Sequence, residues 1–171
     1  MKPIPWRYLN SWNCVACGLC CRGYEVILKY PEWIKIIQTY GIGATKPGIN
    51  NFYLEKSANG TCIFLYKFFD MWLCGLQHMK PRACKLWPFK VYTHPRYGRP
   101  PQASYEYRDR EFFVYADPGC LGLRFGNPSN HFVSNIIPEI VEIALEVREK
   151  QVYSTSGVLS EYSRFRARKV I

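Results

Sequence analysis

The chain has 171 residues, of which 48% are hydrophobic and 21% charged, a balance that supports a buried core and excludes a disordered chain. The formal charge is +10, so an anionic partner such as nucleic acid or an acidic protein is favoured without either being selected. The start, Met1-Lys2-Pro3-Ile4-Pro5-Trp6-Arg7, has no apolar stretch behind it, and residues 62–76 are broken by Lys67 and Asp70, short of the roughly 20 apolar residues of a membrane span.

Residues 1–13 read as a Trp- and Pro-containing arm. Tyr24 to Lys29 alternates and predicts a short strand. Pro31 suits a first helical turn, and Trp33, Ile34, Ile37 and Tyr40 recur at helical spacing until Gly41 ends the pattern. Residues 41–51 read as a loop. Asn59-Gly60 favours a tight turn, so residues 52–55 and 61–65 are expected to pair as a hairpin carrying Cys62. Residues 89–93 read as a strand, 104–107 and 111–115 as a second hairpin, and 138–149 as a helix with Ile137, Ile140, Val141, Ala144 and Val147 on one face. The chain ends with Arg164, Arg166, Arg168 and Lys169, a basic tail able to neutralise phosphates.

Cysteine placement carries the chemistry. Cys14, Cys17, Cys20 and Cys21 fall within eight residues, and Cys62, Cys74, Cys84 and Cys120 complete the set. Two Cys-x-x-Cys steps sharing Cys17 let sulfurs converge, as a soft cation or an iron–sulfur cluster requires. Adjacent side chains diverge, so Cys20 and Cys21 are expected to serve different metals, or one a metal and the other the core. Two Cys₄ zinc sites would use all eight thiols and bring the net charge to about +6. One [4Fe–4S] cluster would use four, although the fourth ferredoxin position is Tyr24. Thiols kept reduced inside the cell act as ligands more often than as disulfides. A composition rich in Ile, Tyr, Lys and Arg with only four Gln has a thermophile flavour that leaves bridged pairs open, since intracellular disulfides are less rare in hyperthermophiles.

In Lys80-Pro81-Arg82-Ala83-Cys84-Lys85-Leu86-Trp87-Pro88-Phe89, two prolines bracket Cys84, and Arg82 and Lys85 are expected to favour its thiolate. His78 follows Cys74 by four residues, a spacing that on a helix would put both on one face, whereas His94 and His131 read as surface residues. No nucleophile elbow is present, and Gly41-Ile42-Gly43-Ala44-Thr45-Lys46 lacks the spacing of a phosphate loop.

Cys14-x-x-Cys17-Gly18-x-Cys20-Cys21-Arg22-Gly23, Gly60-x-Cys62-x-Phe64-Leu65, Cys74, Pro81-x-x-Cys84-Lys85-x-x-Pro88-Phe89 and Cys120-x-Gly122 together resemble the CxxCxxCC, or YkgJ-like, cysteine-cluster family over roughly residues 12–124. The resemblance implies zinc or iron chelation, a metal-ligand role for all eight cysteines and a supporting role for Arg82 and Lys85. Relatives of that domain include flagellin lysine N-methylases, associated with an iron–sulfur centre and S-adenosylmethionine, which implies an enzymatic alternative to a binding or structural module.

The expectation is a small, single-domain α+β protein, largely irregular, with short hairpins and two main helices around a cysteine-ligated metal. Residues 1–130 would form the metal-binding part, with 131–171 packed on it as a helix and basic tail. A cytoplasmic location without membrane attachment is expected.

Overall fold

The structure, a computed structural model, describes residues 2–155. The basic residues Arg164, Arg166, Arg168 and Lys169 lie outside that range. The class is α+β. The strands are β1 (Ile4–Pro5), β2 (Leu9–Trp12), β3 (Ile27–Leu28), β4 (Thr45–Pro47), β5 (Phe52–Leu54), β6 (Leu65–Phe68), β7 (Met71–Cys74), β8 (Phe89–Tyr92), β9 (Ser104–Tyr107), β10 (Arg110–Ala116) and β11 (Leu123–Phe125). The helices are α1 (Tyr30–Tyr40), α2 (Arg82–Leu86), α3 (Pro100–Ala103) and α4 (Ile137–Ala144). Strand content exceeds the expectation of a largely irregular chain, and none of the described helices is long and apolar enough to cross a membrane.

The described residues separate into two compact units, one comprising Ala16–Cys84 and the other residues 2–15 together with residues 85–155. In the second of these, β10 is the organising strand. It pairs antiparallel with β1 (Ile4 opposite Ala116), with β8 (Val91 opposite Val114) and with β9 (Tyr107 opposite Arg110). The turn into β10 places Arg108 and Asp109 at φ 48° and 59°, the mirror-image turn whose twist suits a hairpin. Every residue from Phe112 to Ala116 is buried, and the two-residue period sends alternate side chains to opposite faces. Phe112, Val114 and Ala116 join a core with Trp6, Leu9, Trp12, Phe89, Phe132 and Ile140, while Phe113 and Tyr115 pack with Ala103, Tyr92 and Tyr97.

A π-helical segment, Phe132–Ile136, leads into α4, which buries Ile137, Ile140, Val141 and Ile143. The expected helix to residue 149 stops at Ala144, and Val147 is exposed. The cause is a reversal in the chain, with Glu146 at φ 63° and the following segment folded back onto Glu139. That carboxylate is fully buried and accepts N–H bonds from Val152, Tyr153 and Ser154, the Ser154 hydroxyl bond (2.6 Å), and an ion pair from Arg148 (3.1 Å). A buried carboxylate demands such a set of donors, and only a chain that turns back can supply them.

In the Ala16–Cys84 unit, β5 is central to a three-stranded sheet, with β3 and β4 on its flanks. α1 runs over 30–40 with Pro31 in its first turn and Gly41 at its end, as the sequence predicts. Trp33 stacks on Phe52 at 4.0 Å between ring centres and donates to the buried Thr45 hydroxyl (3.1 Å), while Ile36 is the most buried residue of the helix. The predicted strand 24–29 shortens to Ile27–Leu28, and residues 41–51, expected as loop, contain β4. The Asn59-Gly60 turn forms, with Gly60 donating to Ser57 (2.8 Å). The pairing across it reduces to one bridge between Lys56 and Cys62, because β5 is occupied by β3 and β4. A second hairpin, β6–β7, was not expected from the sequence and carries Cys74.

Candidate metal centre

The segment holding Cys17, Cys20 and Cys21 is short, so its position is set by neighbours rather than by its own secondary structure. Gly18 takes φ 74° and precedes a single 3₁₀ turn, Leu19–Cys21, closed by Cys21 N–H to the Gly18 carbonyl (3.0 Å). Two backbone bonds pin this turn. Trp72 N–H donates to the Ala16 carbonyl (2.8 Å), tying it to β7 and so to Cys74, and Cys62 N–H donates to the Cys21 carbonyl (2.8 Å). Glu32 secures the last approach. Its carboxylate caps α1 through Lys29 N–H (2.9 Å) and accepts Arg82 N–H (2.6 Å) at the start of α2, which carries Cys84. Sequence reasoning missed Glu32 as a positioning residue. Its place in the first turn of α1 signals a cap, but nothing in the sequence signals the partner 50 residues on.

Cys20, Cys62 and Cys74 lie within electrostatic reach of both Cys21 and Cys84, so five thiols share one neighbourhood. The Cys20 and Cys21 sulfurs are 3.7 Å apart, so the expected divergence of these neighbours does not occur, because the 3₁₀ turn carries both to the same side. Hydrogen bonding from the Cys21 thiol brings the Cys20 pKa down to about 7 against the opposing effect of burial, with Lys80 helping. The same bond pushes Cys21 up, and burial adds to it. Burial raises Cys62, Cys74 and, most strongly, Cys84. The cation that favours the thiolate at Cys20, Cys74 and Cys84 is Lys80, not the expected Lys85, whose ammonium donates to the Glu149 carbonyl (2.8 Å). Arg82, expected beside it, contributes its backbone N–H to Glu32.

Cys14 and Cys120 belong to the other unit. Trp12 pairs with Leu123, and Asn13 N–H donates to the Gly122 carbonyl (3.1 Å), so the β2–β11 register carries both cysteines toward the same end of this ladder. A Cβ on Gly122 would collide with the Asn13 carbonyl, so only glycine permits the approach. The Trp12 indole N–H donates to the Cys120 sulfur at 3.4 Å, and both cysteines pack against the Trp12 core. Cys74 ends a strand and His78 lies in a separate 3₁₀ turn, so the pair does not share a helical face. His94 is exposed, as expected. His131 is exposed too, in the turn that opens the C-terminal helical segment, with Nδ1 3.1 Å from the Asn135 amide.

A cleft of about 610 Å³ opens beside Cys62, lined also by Asn59, Thr61, Ile63 and Trp72, with the Arg22 guanidinium 4.2 Å over the Trp72 ring. Among the described residues, no three His, Cys, Asp or Glu side chains stand ready around a single point as metal ligands. The donor chemistry nevertheless fits a soft or borderline cation. The separation of Cys20 and Cys21 matches the roughly 3.8 Å between two sulfurs bonded to one tetrahedral zinc at about 2.3 Å.

These features describe an α+β protein that carries a cluster of cysteines. A model for CxxCxxCC, described as "Putative zinc- or iron-chelating domain", matches residues 13–121, and the chain belongs to that family. Comparison with curated proteins and with solved structures gives no match.

Proposed function

We propose that the chain chelates zinc or iron through the thiolates of Cys17, Cys20, Cys21, Cys62, Cys74 and Cys84, and that Cys14 and Cys120 are metal ligands as well. The observation that carries the reading is the gathering of five thiols, three of them acted on by Lys80, by backbone bonds that reach from Ala16 to β7 and from Cys21 to Cys62. Thiolates are stable at such density when a cation neutralises them, and metal binding then contributes to folding free energy as the sulfurs draw together. Cys17 directly follows Ala16, whose carbonyl is pinned to β7, and is included on that ground.

The test is metal and acid-labile sulfide analysis of protein purified without oxygen, for the parent chain and for Cys20→Ser and Cys84→Ser. Metal bound by the parent and lost in both variants supports the proposal. A parent that takes up neither zinc nor iron, or variants with full occupancy, would refute it. The same measurement separates two forms of the reading. Zinc without sulfide points to a closed structural site in a binding module. Iron with sulfide points to the cluster of a redox or lysine N-methylase-like enzyme, for which S-adenosylmethionine would be the second ligand.

A further inference from the structure

The sequence has no Asp or Glu between residues 71 and 105, while Lys80, Arg82, Lys85, Lys90, Arg96 and Arg99 fall in that stretch. The part of it that follows β8 folds onto the face of β10 occupied by Phe113 and Tyr115. Tyr115 donates to the Gly98 carbonyl (3.0 Å) and meets the Tyr97 ring edge-on at 5.2 Å, which fixes the 94–99 loop against the sheet. Tyr92 and Tyr97 then stand with their hydroxyls 3.2 Å apart.

Each half-buried ring of this face carries a cation. Arg96 lies 5.3 Å from the centre of the Tyr92 ring and Lys90 lies 5.9 Å from Tyr97. Arg99 lies 5.3 Å from Tyr8 and donates to its hydroxyl at 2.9 Å. A fourth cation, the Lys2 ammonium, approaches to 4.0 Å of the position a Cβ on Gly98 would occupy. Among the described residues none of these four cations is ion-paired, whereas Lys46 and Arg148 are. Arg99 is held at φ 52°, a conformation uncommon outside glycine, with Pro100 behind it and the Tyr8 hydroxyl in front.

We infer that this face, centred on Arg96 and Arg99, is a docking surface for single-stranded nucleic acid. Cations without an ion-pair partner, two on the 94–99 loop with Lys90 on β8 and Lys2 before β1, match a phosphate backbone. A guanidinium lying over a tyrosine ring keeps an outer plane on which a base can stack and N–H edges that reach phosphate. Duplex DNA offers the phosphates but no open base planes, and an acidic peptide offers charge without stacking. The combination of cations with rings therefore favours the single strand over either.

The experiment is anisotropy of a labelled oligothymidylate of about 12 nucleotides, read with the full chain across about 50–300 mM KCl. A duplex of equal length and polyglutamate serve as competitors. In Arg96→Gln/Arg99→Gln the plot of log affinity against log salt should flatten by about 1.4, two cations at about 0.7 each. The charge-matched Lys35→Gln/Lys67→Gln, exposed residues of the other unit, should leave it unchanged. All of these proteins keep residues 156–171, so the basic end contributes equally. Should the double variant not fold, Arg96→Gln alone gives the same reading with a change of about 0.7, because this exposed side chain makes no hydrogen bond among the described residues. No binding at the lowest salt, equal flattening in the control pair, or equal or tighter binding of the duplex would each overturn the inference. Preference for polyglutamate would overturn it in favour of an acidic protein.

Discussion

Gly18 offers a direct test of how the cysteine turn is seated, because two separable costs meet at one residue. Its φ of 74° is left-handed, which for alanine costs about 1–2 kcal/mol. An added Cβ would also lie 2.9 Å from the Trp72 Cβ, 3.1 Å from its Cγ and 3.3 Å from a Leu65 methyl. The nearest of these atoms is fixed to the β7 backbone and cannot swing aside, so overpacking adds about 1–3 kcal/mol. Gly18→Ala should therefore lose about 2–5 kcal/mol, a large part of the stability of a domain. Two other glycines serve as references. Gly60, at φ 76° with open space around the missing Cβ, isolates the backbone cost at about 1–2 kcal/mol. Gly23, neither left-handed nor crowded, should show no loss when changed to alanine. Urea unfolding followed by tryptophan fluorescence measures all three, and metal uptake should weaken in Gly18→Ala alone. If Gly18→Ala and Gly60→Ala prove equally destabilised, the contact between the cysteine turn and Trp72 does not exist, and the pinning of Cys20 beside Cys74 goes with it.

Lys80→Gln should weaken metal binding about 10–100-fold in chelator competition, the range typical of groups that support ligands from behind. Lys85→Gln should leave it unchanged, because that ammonium is engaged with Glu149, and equal effects would return the supporting role to the sequence-derived assignment. Glu139→Gln should cost about 3–5 kcal/mol in thermal or urea unfolding, since it removes the charge but leaves Arg148 and the converging N–H donors in place. A loss below about 1 kcal/mol would mean that the chain after α4 is not anchored by that carboxylate.

The elements legible in the sequence are those whose signals are local. Pro31, the Trp33–Tyr40 spacing and Gly41 mark α1 because capping and periodicity act within a few residues. The hairpin around Arg108-Asp109 reads clearly because alternating strands flank a polar turn on both sides. The β6–β7 hairpin was invisible for the opposite reason. Its turn is Phe69-Asp70, without glycine or asparagine, and Phe69 takes φ 50° in a residue type that gives no warning of it. Asn59-Gly60 gave the right turn and the wrong pairing, since the choice of partner for β5 rests on β3 and β4, which the dipeptide cannot encode.

The cysteines show the same division between local and distant information. Spacing alone pointed to a soft-metal donor set, and the family whose model matches residues 13–121 is described as zinc- or iron-chelating. Spacing could not say which sulfurs meet, because the convergence depends on the Trp72–Ala16 and Cys62–Cys21 backbone bonds and on Glu32, none of which involves a thiol. It also pointed to Arg82 and Lys85 and passed over Lys80. Lys85 and Arg82 are closest to Cys84 along the chain, but a short helix turns neighbouring side chains in different directions, and Lys80, outside the helix, is the one that faces several thiols at once. A donor set assembled in this way by groups that do not bind the metal should fail through them too. Loss of Glu32, Gly18 or Lys80 would disperse or discharge the cluster with every cysteine still present, a failure that the cysteine motif by itself gives no means to foresee.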